Sequence, residues 1–248
     1  MSVKDNNWQD FNKSFFKKLG DDEIHVYCMK FSEQLTDSSF EKGLGVLDED
    51  SKKSALRFKF KHLQEKYIQS QFGLRYLLSN YLNINSEDVK FRKNSFGKPY
   101  LLNNKTLNFN ISHSNGYVVF AFSIASELGI DIEKVSEKPF LDIARRFFSL
   151  KEFDLLSNEP NESLKDSFFR LWTRKEAYVK AIGKGLSHSL SSFSMDITTK
   201  PKFLDIDLKD KWGIDNIYLK NKSYFGSIVF DKSTNNKKIC FINMKNML

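Results

Sequence analysis

Apolar and polar residues alternate from Ile24 to Phe31, the period of two that marks a strand with one face buried. From Ser51 to Leu82 the spacing becomes helical, with Leu74, Leu77, Leu78 and Tyr81 on one stripe. Ser86 sits in a turn ahead of a strand near Val89 to Arg92. Asn94-Ser95-Phe96-Gly97 then reads as the turn into Pro99-Tyr100-Leu101, so this stretch is expected to be a hairpin. Three more strands follow at short spacing: Leu107 to Ile111, Tyr117 to Ile124 and Leu128 to Val135.

Helical spacing returns near Pro139, breaks around Ser149 and resumes to Leu156. From Glu162 to Ile182 it runs as one long amphipathic helix, with Gly183 placed to cap its C-terminus. Strands come back at Phe193 to Ile197, Ile217 to Leu219, Tyr224 to Phe230 and Lys238 to Asn243, with Ser233-Thr234-Asn235-Asn236 as a turn. Strand, helix and sheet thus occur twice. The pattern predicts an α+β fold of two halves of similar plan, residues 1–127 and 128–248, meeting near residues 126–130. No sequence repeat accompanies the seam.

With 248 residues, 40% hydrophobic and 24 of them phenylalanine, the chain can bury an aromatic-rich core. Cys28 and Cys240 lie in separate apolar, strand-like runs, which argues against a disulfide scaffold or a thiolate metal site and for a reduced, cytoplasmic setting. The first ten residues hold no apolar signal core, and the longest apolar stretch, Tyr117 to Ala125, is too short to span a bilayer. A soluble protein that does not enter membranes is expected. The net charge of +8 favours an acidic partner, whether nucleic acid, nucleotide or protein, and does not choose among them.

The candidate chemistry lies in three places. In Gly129-Ile130-Asp131-Ile132-Glu133 the period of two puts both carboxylates on one strand face and both isoleucines on the other. Adjacent carboxylates repel unless a cation sits between them, and oxygen ligands of this kind suit magnesium. The same pattern also describes an edge strand with its polar face in water. Trp172, Glu176 and Lys180 follow at successive i, i+4 positions of the long helix and share a face, as any surface ion pair beside a core tryptophan also would. Ser149 and Glu152 have the spacing of a capping box, although an ionised glutamate can equally act as a general base. Upstream, Lys98 sits on a stiff Gly-Lys-Pro turn, suited to a phosphate or simply to solvent. His113 stands between two serines without the Gly-x-Ser-x-Gly elbow of a hydrolase.

Taken in order, GKP (97–99), NISHS (110–114), GIDIE (129–133), RRFFSLKEF (145–153) and LWTRKEAYVKAIGKGL (171–186) closely resemble the motifs of the Sfp-type 4′-phosphopantetheinyl transferases. The resemblance implies two pseudo-symmetric α+β halves, each a long helix on a mainly antiparallel sheet, with coenzyme A in the cleft between them. It implies transfer of phosphopantetheine from coenzyme A to a serine of an apo acyl, peptidyl or aryl carrier protein, giving holo carrier and 3′,5′-ADP. It also implies that Asp131, Glu133 and Glu176 hold Mg2+ together with the coenzyme A pyrophosphate, that Lys180 neutralises the leaving group, and that Glu152 deprotonates the carrier serine. A water in the metal shell is the competing base.

Lys98, Ser112 and His113 are implied to contact coenzyme A. Lys66 joins them where the family usually has arginine, with Arg57 and Phe58 fitting the upstream pattern. The partner implied is an acidic helical carrier domain, and the enzyme a monomer. Two rival readings remain open to the sequence. A metal-dependent phosphohydrolase of nucleotide-like substrates could use the same carboxylates and lysines. A nucleic-acid-binding protein is less well served: neither an RNP aromatic pattern nor a GXXG clamp is present, and the central carboxylates would oppose a phosphate backbone.

Overall fold

The computed structural model describes residues 6–12, 16–219, 223–232 and 237–248. The first part of the chain runs β1 (Trp8–Asp10), β2 (Glu23–Lys30), α1 (Asp37–Gly45), α2 (Glu49–Leu56), α3 (Lys61–Leu82), β3 (Phe91–Lys93), β4 (Pro99–Leu101), β5 (Leu107–Ser114) and β6 (Tyr117–Ile124). The second runs β7 (Leu128–Lys134), α4 (Phe140–Phe147), α5 (Leu150–Ser157), α6 (Asn161–Ala181), α7 (Ile206–Lys211), β8 (Trp212–Ile217), β9 (Tyr224–Asp231) and β10 (Lys238–Met244).

The expected duplication is visible as topology. In each half a strand is followed by two short helices, a long helix and later two strands. The strand order is then first, last, middle: β2-β6-β5 in one sheet and β7-β9-β8 in the other, antiparallel throughout. β10 breaks the symmetry. It crosses back to lie parallel to β2, with β1 on its far side, so the larger sheet reads β1-β10-β2-β6-β5.

Alternation along the strands sorts the side chains into layers. Ile24 and Val26 of β2, Val119 and Ala121 of β6, and Ile130 and Ile132 of β7 form the apolar layer between the two sheets. The outer face of the larger sheet, with Tyr27, Phe120 and Phe122, packs on Leu74, Leu77 and Leu78 of α3. The outer face of the smaller sheet, with Phe225 and Val229, packs on α6 through residues such as Phe169 and Leu171. The order is helix, sheet, sheet, helix, and each long helix covers one sheet.

Three elements differ from the sequence pattern, one being the strand expected at Ile217 to Leu219, which is β8 at Trp212–Ile217 and ends where it was expected to begin. The helix expected over Ser51 to Leu82 is two helices with a turn at Arg57–Phe60. Ala55 and Ile68 are buried in one small cluster with Leu35 and Leu47. Thirteen residues apart on a straight helix, they would face directions about 220° apart, so the chain must turn to bury both. The strand expected at Phe193 to Ile197 is extended but forms only one bridge, Met195 with Phe203. Backbone bonds flank that bridge, Asp196 N donating to the Lys202 carbonyl and Leu204 N to the Ser194 carbonyl, and side chains add to them: Met195 N donates to Glu152 and Ser194 N to Asp205, while Arg174 donates to the carbonyls of Asp196 and Thr198. The turn expected at 233–236 lies outside the described residues. β1, α1 and α7 have no counterpart in the sequence expectations. No helix among the described residues is long and apolar enough to cross a membrane.

Candidate active site

The site begins with a missing side chain. A Cβ at Gly129 would stand 2.1 Å from the Ala177 carbonyl oxygen and 2.3 Å from the Ala181 nitrogen. Glycine at that position therefore lets α6 lie directly on β7, closer than any other residue would allow. Asp131 and Glu133 point toward that helix, while Ile130 and Ile132 point into the layer between the sheets. One turn apart on α6, Glu176 and Lys180 come down over the strand.

Asp131 is the centre, with 4% of its surface exposed. Its Oδ1 accepts from Lys180 Nζ at 2.6 Å and from Ser112 Oγ at 2.8 Å. Its Oδ2 is buried and has no hydrogen-bond partner among the described residues. A buried carboxylate oxygen without a donor is costly, and a bound cation removes that cost. Burial, then the charge of Asp131, pushes the Glu133 carboxyl above its usual range. Burial, Asp131 and Glu133 likewise push Glu176 up to about 7, against the opposing pull of Lys180. Asp131 thus raises both Glu133 and Glu176, and the three side chains offer only oxygen, the donor type that suits Mg2+.

The NISHS segment works as a polar zipper. Asn110, Ser112 and Ser114 alternate along β5 and face the open edge of β7. Asn110 Oδ1 accepts from Ile130 N at 2.9 Å, Ser112 Oγ from Ile132 N at 3.4 Å and Ser114 Oγ from Lys134 N at 2.9 Å. The sheets thus meet through side chains rather than through a continuous backbone ladder. Ser112 continues into the site, contacting Asp131 and Lys180, and Ser114 Oγ donates to Glu133 at 3.2 Å. Ser114 and Asn110 escaped the sequence reading, and the signal that marks them is the Asn-x-Ser-x-Ser alternation.

His113 is brought into the same field. Burial, followed by Lys180 and with a contribution from Lys66, lowers its pKa, which keeps the imidazole neutral at neutral pH. Lys66 from α3 and Lys180 from α6 therefore converge on one region from the two halves. Lys98 is placed apart from the carboxylates. Its ammonium donates to Glu127 Oε2 at 2.7 Å, to the Ala181 carbonyl at 2.9 Å and to the Leu128 carbonyl at 3.4 Å, pinning the end of α6 to the start of β7. A cleft of about 580 Å³ opens beside it, lined in part by Pro99, Tyr100, Ile182 and Gly183.

Glu152 is not presented to a substrate, contrary to the role of general base. It is 0% exposed, and both its oxygens are occupied. Lys175 Nζ donates to them at 2.6 and 2.7 Å, and Ser149 N, Ser149 Oγ and Met195 N donate at 2.9, 3.0 and 2.8 Å. The capping box visible in the sequence is formed, and it is joined to a buried ion pair. Lys175 is lowered to about 8 because burial outweighs the attraction of Glu152.

Comparison with known proteins agrees with this geometry. Residues 34–125 match the model for 4′-phosphopantetheinyl transferase, N-terminal, and residues 127–225 match the 4′-phosphopantetheinyl transferase superfamily. The 4′-phosphopantetheinyl transferase Sfp of Bacillus subtilis (strain 168) is 34% identical over 174 residues, covering 69% of this chain and 76% of its own length. HetI of Nostoc sp., also a 4′-phosphopantetheinyl transferase, is 34% identical over 67% of this chain and 71% of its own. The transferase gsp of Aneurinibacillus migulanus is 45% identical over 123 residues, a match spanning half of each chain. The two matches together cover both long helices, β5 and β6 of the larger sheet and β7 and β8 of the smaller, with Asp131, Glu133, Glu176 and Lys180 inside the second. The chain belongs to the 4′-phosphopantetheinyl transferase superfamily.

Proposed function

We propose that this protein transfers the 4′-phosphopantetheine arm of coenzyme A to a serine of an apo carrier protein, with Mg2+ held by Asp131, Glu133 and Glu176. The observation that carries the metal assignment is the buried Oδ2 of Asp131, without a donor and flanked by two carboxylates whose pKa values are raised. The ion, when bound, supplies positive charge to the pyrophosphate. Lys180, already 2.6 Å from Asp131, supports that charge and faces the phosphate of the leaving 3′,5′-ADP.

In the transfer step the serine Oγ forms a bond to the phosphorus of the phosphopantetheine phosphate, and the bond to the bridging pyrophosphate oxygen breaks. The serine proton passes to water at the site, because Glu152 is enclosed and Glu176 is given to the metal. Lys66 and neutral His113 lie within reach of one another's fields and serve the phosphates of coenzyme A as a charge and as a hydrogen-bond donor. The cleft beside Lys98 suits the adenosine end, with the lysine contributing its stem because its ammonium is already bonded.

The carrier is taken to be acidic, attracted by the +8 charge. The segment between β7 and α6 suits its docking: Leu150 there is 82% exposed, and Arg145, Arg146 and Lys151 flank it on the surface. The division into residues 1–127 and 128–248 with the site between them, a monomeric state and a cytoplasmic setting complete the proposal. The family assignment sets the phosphohydrolase aside. Incubation with coenzyme A, Mg2+ and an apo carrier domain is expected to add one phosphopantetheine mass to the carrier, and release of phosphate without that adduct would overturn the reading.

The raised carboxylates set a pH dependence. Protons compete with the metal, so half-saturating Mg2+ is expected to rise roughly tenfold per pH unit below about 7. The linkage to stability has the opposite look. With its folded pKa above the unfolded value, Glu176 holds a proton more firmly in the native state. The metal-free protein therefore loses stability as pH rises from about 4.5 to about 7. Thermal melts of the metal-free protein across that window, compared with Glu176→Gln, are expected to show a shallower decline in the variant. Equal slopes would disprove the assignment.

A further inference from the structure

We propose that Glu23, His25 and Cys240 form a second metal site that takes a borderline-soft divalent ion, zinc, and ties β2 to β10. The expectation from sequence was against a thiolate metal site, since Cys240 lies far along the chain from His25. The fold removes that separation. β10 runs parallel to β2 with Cys240 opposite His25, and Glu23 lies two residues before His25 on the same sheet face. One oxygen, one nitrogen and one sulfur ligand atom from these residues lie within 4.8 Å of one another.

The donor set separates this site from the carboxylates at Asp131. Oxygen ligands alone suit magnesium, whereas thiolate, imidazole and carboxylate together suit zinc, with a fourth position left open. Zinc bonds of about 2.0–2.3 Å place tetrahedral ligand atoms roughly 3.3–3.8 Å apart. His25 Nε2 and Glu23 Oε2 stand at 3.3 Å already, and a rotation of the half-buried Cys240 brings the sulfur in.

His25 is oriented as a ligand. It is fully buried, and burial holds the imidazole neutral. Its Nδ1 lies 2.7 Å from Tyr81 Oη, which lies 2.9 Å from Tyr27 Oη. In the metal-free protein Nε2 contacts the Glu23 carboxylate at 3.3 Å; with metal on Nε2 the ring proton moves to Nδ1 and donates to Tyr81, which in turn donates to Tyr27. This is the outer-sphere arrangement that fixes the tautomer of metal-bound histidines.

Lys17 now occupies the cation's place. Its Nζ is 2.5 Å from Glu23 Oε1 and 3.6 Å from Cys240 Sγ. The side chain is 48% exposed and can swing into solvent. Charge balances in both states. Ammonium and carboxylate are paired in one. In the other, zinc is neutralised by Glu23 and by the Cys240 thiolate, whose proton leaves to solvent.

Cobalt(II) is the probe, titrated into the reduced full-length protein without magnesium. The expected result is a thiolate-to-cobalt absorption band in the near ultraviolet, saturating at one ion per chain and abolished by zinc. Cys240→Ser should lose the band and bind zinc more weakly by at least the roughly 100-fold that loss of even an outer-sphere partner can cost. Asp131→Ala should keep the band, as should Cys28→Ser, because Cys28 faces the layer between the sheets. Lys17→Ala should tighten binding roughly tenfold or more by removing a like charge. Zinc should raise the melting temperature of wild type and not of Cys240→Ser. Absence of the band in wild type, or an equal band in Cys240→Ser, would overturn the proposal, and these outcomes do not depend on transferase activity.

Discussion

Asp131→Asn is expected to remove nearly all carrier modification while leaving a folded protein. The substitution keeps the shape of the side chain and removes the charge on which three partners converge: Lys180, Ser112 and the proposed Mg2+. Loss of one preorganised electrostatic group in a water-poor site costs on the order of 100- to 1000-fold in turnover. Here the loss of a metal ligand adds to it. Stability moves the other way or hardly at all. The native carboxylate raises Glu133 and Glu176 and carries a buried oxygen without a donor, so an amide relieves repulsion even as it weakens the contact to Lys180. Carrier mass spectrometry at a series of Mg2+ concentrations, alongside thermal denaturation, separates the two effects. Transfer with the wild-type Mg2+ requirement in this variant would refute the metal assignment.

Glu152→Ala is expected to act on the fold instead. The substitution leaves the Lys175 ammonium buried with only the Phe193 carbonyl as hydrogen-bond acceptor at 2.8 Å and the Phe193 ring at 4.0 Å. It also removes the glutamate half of the α5 capping box and a partner from Met195 N. Breaking one side of a buried ion pair costs about 3–5 kcal/mol. At roughly 2–4 °C per kcal/mol for a chain of this size, the melting temperature should fall by about 6–20 °C. The double variant Glu152→Met, Lys175→Met should recover a large part of that loss, since two apolar side chains need no counter-charge. A general base would behave differently, with turnover falling at an unchanged melting temperature.

Asp131 and the three glutamates Glu133, Glu152 and Glu176 show what could be read in advance. The face shared by Asp131 and Glu133 follows from strand geometry alone, and the stripe Glu176 to Lys180 from helix geometry. Both were legible because the period of an element is local. Glu152 was ambiguous because a capping box and a catalytic carboxylate have the same sequence, and the deciding neighbour, Lys175, lies 23 residues away. Lys98 was misleading for the same reason, since the carbonyls it holds at Leu128 and Ala181 belong to other elements. The strand expected at Phe193 to Ile197 had the right alternation, but it pairs with the backbone only around Met195 and Phe203 and takes its other partners from side chains. Gly129 was quoted as part of a motif, yet the α6 backbone that forbids a side chain there cannot be seen without the packing.

The placement of β10 bears on how the molecule is made. On the ribosome, β2, β6 and β5 leave the exit tunnel long before β10, which is synthesised after every other element described. Until it arrives, the nascent chain displays β2 as an open strand edge, with its amide and carbonyl row free to pair with a wrong neighbour. The first half can gather its helix and three strands early, but its sheet closes only when a segment more than two hundred residues downstream of β2 inserts between β1 and β2. Closure of this sheet is consequently late, and slow for the distance that one contact must bridge.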